Sequence, residues 1–161
     1  MRVIFLDFDG VLNNGKFLFH NMSNYPDLIM KEKVKLLNTL IERTNANIVF
    51  STSWREQFTF EGLIEILEKV EFKYRDKCVG VTPIAENNKR ISEIKEYIDT
   101  NNIDEFVILD DCAEELSGFG NDLTKLIIDP NNGLTYEDVC FVIESFEAQK
   151  IEKEKNNENK N

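Results

Sequence analysis

Four short runs of consecutive apolar residues, each broken off by a polar cluster, constrain this chain more than any other feature. They are Val3-Ile4-Phe5-Leu6 before Asp7-Phe8-Asp9-Gly10, Ile48-Val49-Phe50 before Ser51-Thr52-Ser53, Phe106-Val107-Ile108-Leu109 before Asp110-Asp111, and Leu126-Ile127-Ile128 before Asp129-Pro130. A strand with one wet face alternates apolar and polar residues, whereas an unbroken run reads as a strand buried on both faces. Helical spacing of apolar residues separates the runs, and this β/α alternation predicts a doubly wound, three-layer α/β/α fold around a parallel sheet. Ligands of such sheets sit beyond the carboxyl ends of the strands, where strand order reverses. The polar clusters all fall at that edge.

The intervening pattern predicts a helix over about 30–44 (Val34, Leu37, Leu40, Ile41, Thr44) and a second carrying Leu63, Ile64, Leu67 and Val70. A third, over about 88–100, presents Ile91, Ile94, Tyr97 and Ile98, with Asn87 or Asn88 as its N-cap. Thr135-x-x-Asp138 reads as a capping box opening a last helix with Val139, Val142, Ile143 and Phe146. Cys78-Val79-Gly80-Val81 fits a short edge strand, and residues 13–29 show no clear period. Residues 1–147 form one expected domain; 148–161, with four lysines and three glutamates among asparagines, read as a charged, disordered tail.

Composition narrows the function. Thirty acidic against 19 basic residues give a net charge of -11, the opposite of the basic balance that usually marks a nucleic-acid binder. Cys78, Cys112 and Cys140 lie far apart with no C-x-x-C spacing, which argues against a zinc site or disulfide framework and suits a reducing cytoplasm. No apolar run approaches the length of a membrane span or a signal-peptide core.

A D-x-D-G after a strand is by itself an ordinary turn. Joined to a hydroxyl pair at the second strand end, a carboxylate pair at the third and Lys89-Arg90 on the helix before it, it becomes a chemical constellation. Carboxylates crowded at one sheet edge repel one another, and a divalent cation resolves the conflict; all-oxygen donors favour Mg2+ over zinc. Ser51 and Thr52 also fit a plain turn, Lys89-Arg90 a solvated helix face, and Trp54 the core. Asp129, before a proline, reads as a turn residue, and His20 carries no assigned role.

Asp7-Phe8-Asp9-Gly10-Val11-Leu12, Ile48-Val49-Phe50-Ser51, Arg90 on a helix and Val107-Ile108-Leu109-Asp110-Asp111 resemble the four ordered motifs of the haloacid-dehalogenase (HAD) superfamily of phosphohydrolases, over about residues 2–129. Asp-Gly-Val-Leu-Asn, Ser-Trp-Arg and the late Asp-Pro…Gly-Leu-Thr resemble more narrowly its branch in multi-domain RNA-repair proteins. The resemblance implies Asp7 as nucleophile, forming an aspartyl-phosphate, and Asp9 as general acid and then base, which points to phosphomonoester hydrolysis. It implies Mg2+ held by Asp7, the Asp9 carbonyl and Asp111, with Asp110 either supporting that shell or ligating. Ser51, or Thr52 in the alternative register, would bind the phosphoryl group; Arg90, or Lys89 if the helix is rotated, would offset its charge. Asn13, Trp54 and Arg55 are candidate substrate contacts.

Superfamily members selecting small metabolites usually carry a cap domain. Only about residues 13–29 are free for one after the first motif, so the chain reads as capless with an exposed site. An open site suits a phosphate on something large. A nucleotide or nucleic-acid end is favoured by the resemblance and opposed by the net charge; a phosphoprotein is the alternative substrate, and a non-catalytic Mg2+- or phosphate-binding module the alternative class.

Overall fold

The computed structural model describes residues 1–20, 25–85, 89–117 and 124–158, without the side chains of 18–20, 25 and 26. Asn87 and Asn88, expected at a helix N-cap, lie outside the described residues. Five parallel strands form one sheet: β1 (Arg2–Leu6), β2 (Asn47–Phe50), β3 (Cys78–Val81), β4 (Glu105–Asp110) and β5 (Lys125–Ile127). The spatial order is β3-β2-β1-β4-β5. β1 is therefore central, flanked by β2 through Leu6 opposite Phe50 and by β4 through Leu6 opposite Leu109. Strand order reverses between β1 and β4, which places the candidate site at the ends of β1, β2 and β4. Cys78–Val81 is an edge strand as its pattern predicted.

Period-two alternation splits the apolar runs between two cores. Ile4, Leu6, Ile48, Phe50, Val107 and Leu109 face a layer made by the helices α2 (Lys31–Thr44), α3 (Phe60–Glu68) and α5 (Tyr136–Glu158). Val3, Phe5, Val49 and Ile108 face a smaller core closed by Ile94 of α4 (Arg90–Asn101) and by Ile103 and Leu116. Both faces are covered, which is why these strands tolerate no polar residue at alternate positions.

The helices stop and start where local chemistry dictates. Asn45 ends α2 and Asn102 ends α4, each in the left-handed conformation (φ 52° and 51°) that asparagine tolerates. The Thr135 and Asp138 side chains each accept from the other's backbone N–H (Asp138 N–H to Oγ1 3.3 Å, Thr135 N–H to Oδ2 2.8 Å), the expected capping box. The aperiodic stretch after the first motif holds a short helix, α1 (Gly15–His20), and a 3-10 turn over Tyr25–Leu28.

Residues 148–158 differ from expectation: α5 continues through Glu158 instead of giving way to a disordered tail. Gln149 donates to and accepts from the Phe106 backbone (3.0 and 3.1 Å), and Lys153 pairs with Asp104. A helix anchored there propagates cheaply through lysine and glutamate, both good helix formers, so it persists although residues 151–158 are exposed.

Candidate active site

The loop leaving β1 carries the densest chemistry. Asp7 continues the sheet by one bond, its N–H donating to the Leu109 carbonyl at 3.0 Å, and the residue is only 5% exposed. One carboxylate oxygen accepts from the Phe8 N–H (2.8 Å); the other meets the Arg90 guanidinium at 2.9 Å. Gly10 follows with φ +69°, and a Cβ there would lie 2.3 Å from Asp111 Oδ2. This is a cradle only glycine permits: it lets the loop turn back under Asp111.

The loop is braced from the far end of the chain. Leu134 N–H donates to the Val11 carbonyl (2.8 Å), Gly15 N–H to the Pro130 carbonyl (3.1 Å), and Met30 N–H to the Leu12 carbonyl (2.9 Å). Asp129 accepts from the Asn131 backbone and side chain and from Asn132, so it shapes the turn that delivers Leu134 and stays out of the site. The late Asp-Pro…Gly-Leu-Thr segment is thus a strut for the first motif.

At the end of β2, Ser51 N–H donates to the Leu6 carbonyl (2.9 Å), which sets Ser51 beside Asp7. The Ser51 hydroxyl is buried and, among the described residues, has no hydrogen-bond partner. Thr52 is fully buried; its Oγ1 accepts from Trp54 N–H (3.4 Å) at the start of a 3-10 turn over Ser53–Glu56.

Arg90 opens α4 and crosses to the strand ends. Its Nη1 reaches Asp7 and Asp110 at 2.9 Å each and the Ser51 carbonyl at 2.6 Å, while Nε holds Glu115 at 2.8 Å. Lys89, in contrast, is the exposed N-cap residue of the helix. Of the two cations left open by the sequence, Arg90 is therefore the one on the carboxylates, one helical position inside the turn. Asp110 is fully buried and accepts from Cys112 N–H at 2.8 Å.

Burial decides the titration here. It pushes Asp7 up to about 7, against the opposing pull of Arg90 and with reinforcement from Asp110. Asp110 is pushed up to about 6 by burial, again against Arg90, and Asp111 is raised mainly by burial as well. Desolvation lowers Arg90, but Asp7, Asp110 and Glu115 together hold it above its ordinary value. One guanidinium shared among three carboxylates does not repay the desolvation of each.

Asp7, Asp110 and Asp111 each offer a ligand oxygen, all within 4.8 Å of one another. A hard divalent cation, which takes oxygen ligands, fits the chemistry of that donor set. The Gly10 cradle and the raised carboxylates fit it too.

The three candidate substrate contacts all engage partners inside the protein. Trp54 is fully buried, packed edge-on to Phe8 (ring centroids 5.4 Å apart), and its indole N–H donates to Asp9 Oδ2 at 2.8 Å. Asn13 is also fully buried: its Nδ2 donates to Asp9 Oδ1 (3.0 Å) and its Oδ1 accepts from Gly10 N–H (2.8 Å). Arg55 pairs at 2.5 Å with Glu93, itself 3% exposed, and its Nε has no partner among the described residues. The sequence offers them as candidate contacts, with the core as the other reading of Trp54, because it does not reveal the buried acceptor each one serves. Arg55 and Arg90, with Ser53, Glu56, Ile84, Glu93 and Glu115, line a recess of about 270 Å³ beside the site. Glu93 escaped the sequence reading; its spacing one turn after Arg90 on the same helix face was the available signal.

Among the described residues, no helix is long and apolar enough to cross a membrane. Comparison with curated proteins and with solved structures finds no match. The family model described as the HAD domain in Swiss Army Knife RNA repair proteins matches residues 3–139, which takes in every motif assembled above. The chain belongs to that HAD domain family, a membership that suggests a HAD-type hydrolase or phosphatase.

Proposed function

We propose that the protein is a Mg2+-dependent phosphomonoester hydrolase that works through an aspartyl-phosphate on Asp7. The observation that carries this reading is the pairing of a buried Asp7 carboxylate, held by Arg90, with the Ser51 hydroxyl on the adjacent strand end, which has no hydrogen-bond partner among the described residues. A phosphoryl group seated there would give Ser51 the acceptor it lacks.

In the first step an Asp7 oxygen attacks phosphorus, the bond from phosphorus to the leaving oxygen breaks, and Asp9 gives that oxygen its proton. In the second, water attacks the same phosphorus, Asp9 takes a proton from it, and the bond to Asp7 breaks, releasing inorganic phosphate. Arg90 holds Asp7 in place and offsets charge on it throughout. Asp7, the Asp9 carbonyl and Asp111 would hold Mg2+, which supplies charge neutralisation to the phosphoryl oxygens. Asp110 would support that shell from behind, since it is fully buried and tied to Arg90 and the Cys112 N–H.

The substrate we infer is a phosphate at a nucleotide or nucleic-acid end. The family description supports it, and the segment between β1 and α2 is too short for a cap domain. With a net charge of -11, the domain would hold such a substrate weakly unless another protein or domain supplies the basic surface. Cytoplasmic residence is part of the same proposal.

Hydrolysis of an aryl phosphate, with Mg2+ and with chelator, tests the reaction. Mg2+-dependent release that Asp7→Asn abolishes is the expected result. Metal-independent release, or full activity in Asp7→Asn, overturns it.

A further inference from the structure

Asp9 is the only carboxylate of the site held by neutral side-chain donors on both oxygens among the described contacts, and the two donors come from different parts of the chain. Asn13 Nδ2 donates to Oδ1 at 3.0 Å from the same loop; Trp54 Nε1 donates to Oδ2 at 2.8 Å from the turn after β2. Neither donor is free to follow the carboxylate if it swings. Trp54 is fully buried, its ring against Phe8 at 5.4 Å and Phe58 at 6.1 Å, and Asn13 is fully buried and tied to Gly10 N–H at 2.8 Å.

We infer that Trp54 and Asn13 form a rigid clamp that aims the acid–base carboxylate Asp9, making both positioning residues for proton transfer. The inference rests on the proposed reading of Asp9 as acid and base. A carboxylate oxygen has two in-plane acceptor sites. The clamp occupies one on each oxygen, so the proton Asp9 donates sits on one of the two that remain, and its direction is set by the protein before substrate arrives. Proton transfer is steep in geometry: the donor must stand within about 2.6–3.2 Å of the oxygen it serves. A buried indole fixed by two aromatic neighbours can hold such a position; a solvent-exposed side chain pays rotamer entropy to do so.

The test exploits leaving groups. A phenolate such as p-nitrophenolate departs without protonation, whereas an alkoxide needs the acid. Trp54→Phe keeps an aromatic ring against Phe8 and Phe58 but removes the N–H together with the five-membered ring that carries it, so the difference between the two substrates, and not the overall loss, reads the clamp. With kcat/KM measured for p-nitrophenyl phosphate and for a simple alkyl phosphate, Trp54→Phe should lose about 10-fold or more on the alkyl substrate and less than about 3-fold on the aryl one. Asp9→Asn, run in parallel, should show the same asymmetry more strongly.

A second readout is independent of turnover. Trp54 is the sole tryptophan, so the protein has one indole N–H resonance, and that resonance should shift and lose exchange protection in Asp9→Ala. Equal losses on both substrates in Trp54→Phe, or an indole resonance indifferent to Asp9→Ala, would overturn the clamp. If Asp9→Asn itself shows no leaving-group asymmetry, the acid–base reading of Asp9 fails first, and the clamp with it.

Discussion

Replacing Gly10 with alanine puts the site's tightest contact under load. Gly10 has φ +69°, and an added Cβ would stand 2.3 Å from Asp111 Oδ2, 2.4 Å from its Cγ and 2.7 Å from its Cβ. The left-handed backbone alone costs an L-residue about 1–2 kcal/mol. Rotating the Asp111 side chain relieves the first two contacts but not the third, because Cβ moves only with the backbone. The loop after β4 must shift, an overpacking cost of about 1–3 kcal/mol. Together these predict about 2–5 kcal/mol, which in a chain of this size lowers Tm by about 4–20 °C. Thermal unfolding in chelator and in excess Mg2+ checks both halves of the reasoning. Gly10→Ala should melt early, and its gain on adding Mg2+ should be smaller than the wild type's, because Asp111 has been pushed from the cluster it forms with Asp7 and Asp110. Gly15→Ala, where an added Cβ meets nothing within 4 Å, is the control and should stay within about 0.5 kcal/mol of wild type. A Gly10→Ala protein that melts with the wild type and keeps its full Mg2+ increment would refute the cradle.

The remaining predictions concern buried charge. Asp7 is raised from 3.8 to about 7, so between those values the folded state keeps a proton that the unfolded chain has released; its stabilising contribution is complete below about pH 4 and is lost as pH rises through 7. Taking Asp7 and Asp110 as one proton shared around Arg90, the metal-free protein should lose about 3 kcal/mol between pH 5 and 8; a melting profile in chelator that is flat or rising over this window, or one unchanged by Asp7→Asn, contradicts it. Glu93→Gln strips Arg55 of its counter-charge in a pair whose side chains are 7% and 4% exposed, and should cost about 3–5 kcal/mol in urea unfolding. Glu115→Gln, at a side chain 47% exposed, should cost no more than about 1 kcal/mol, and similar losses in both would show that burial does not set the difference.

Strand positions were legible because burial on both faces leaves no choice of residue: Val3–Leu6 and Val107–Leu109 read as strands from composition alone, and their polar successors read as one sheet edge. Which of two adjacent residues points inward was not legible. Lys89 and Arg90 differ by one position on a helix, about 100° of rotation, and only the packing of α4 against Phe5 and Val49 through Ile94 settles that Arg90 meets Asp7. Trp54, Asn13 and Arg55 were legible as residues near the site and illegible as to direction, because an amide, an indole or a guanidinium serves a buried partner as readily as a ligand. The helix beyond residue 147 escaped a reading based on apolar period, since its support is the Gln149 bond to Phe106 and the Lys153 pair with Asp104, contacts to the opposite end of β4.

The proposed function makes the charge at the strand ends differ between the site without metal and the site at work. Asp7, Asp110 and Glu115 all contact Arg90, and Asp111 sits within 4.8 Å of the first two, so one guanidinium faces four carboxylates. Burial pushes Asp7 up to about 7 and Asp110 up to about 6, so near neutral pH a proton cancels part of this negative charge when no other cation is present. A protonated Asp7 is a poor nucleophile, and an ionised cluster would repel a phosphate dianion. On the proposed function, a divalent cation held by these carboxylates would remove both obstacles: they would ionise, Asp7 would become nucleophilic, and the local charge would turn favourable for the substrate. Metal and phosphate would then raise one another's affinity by the same factor, each binding better to the state the other produces. The crowding of acids would be the source of that coupling, and it arises from the doubly wound topology itself, which brings the ends of β1 and β4 side by side at the point where strand order reverses.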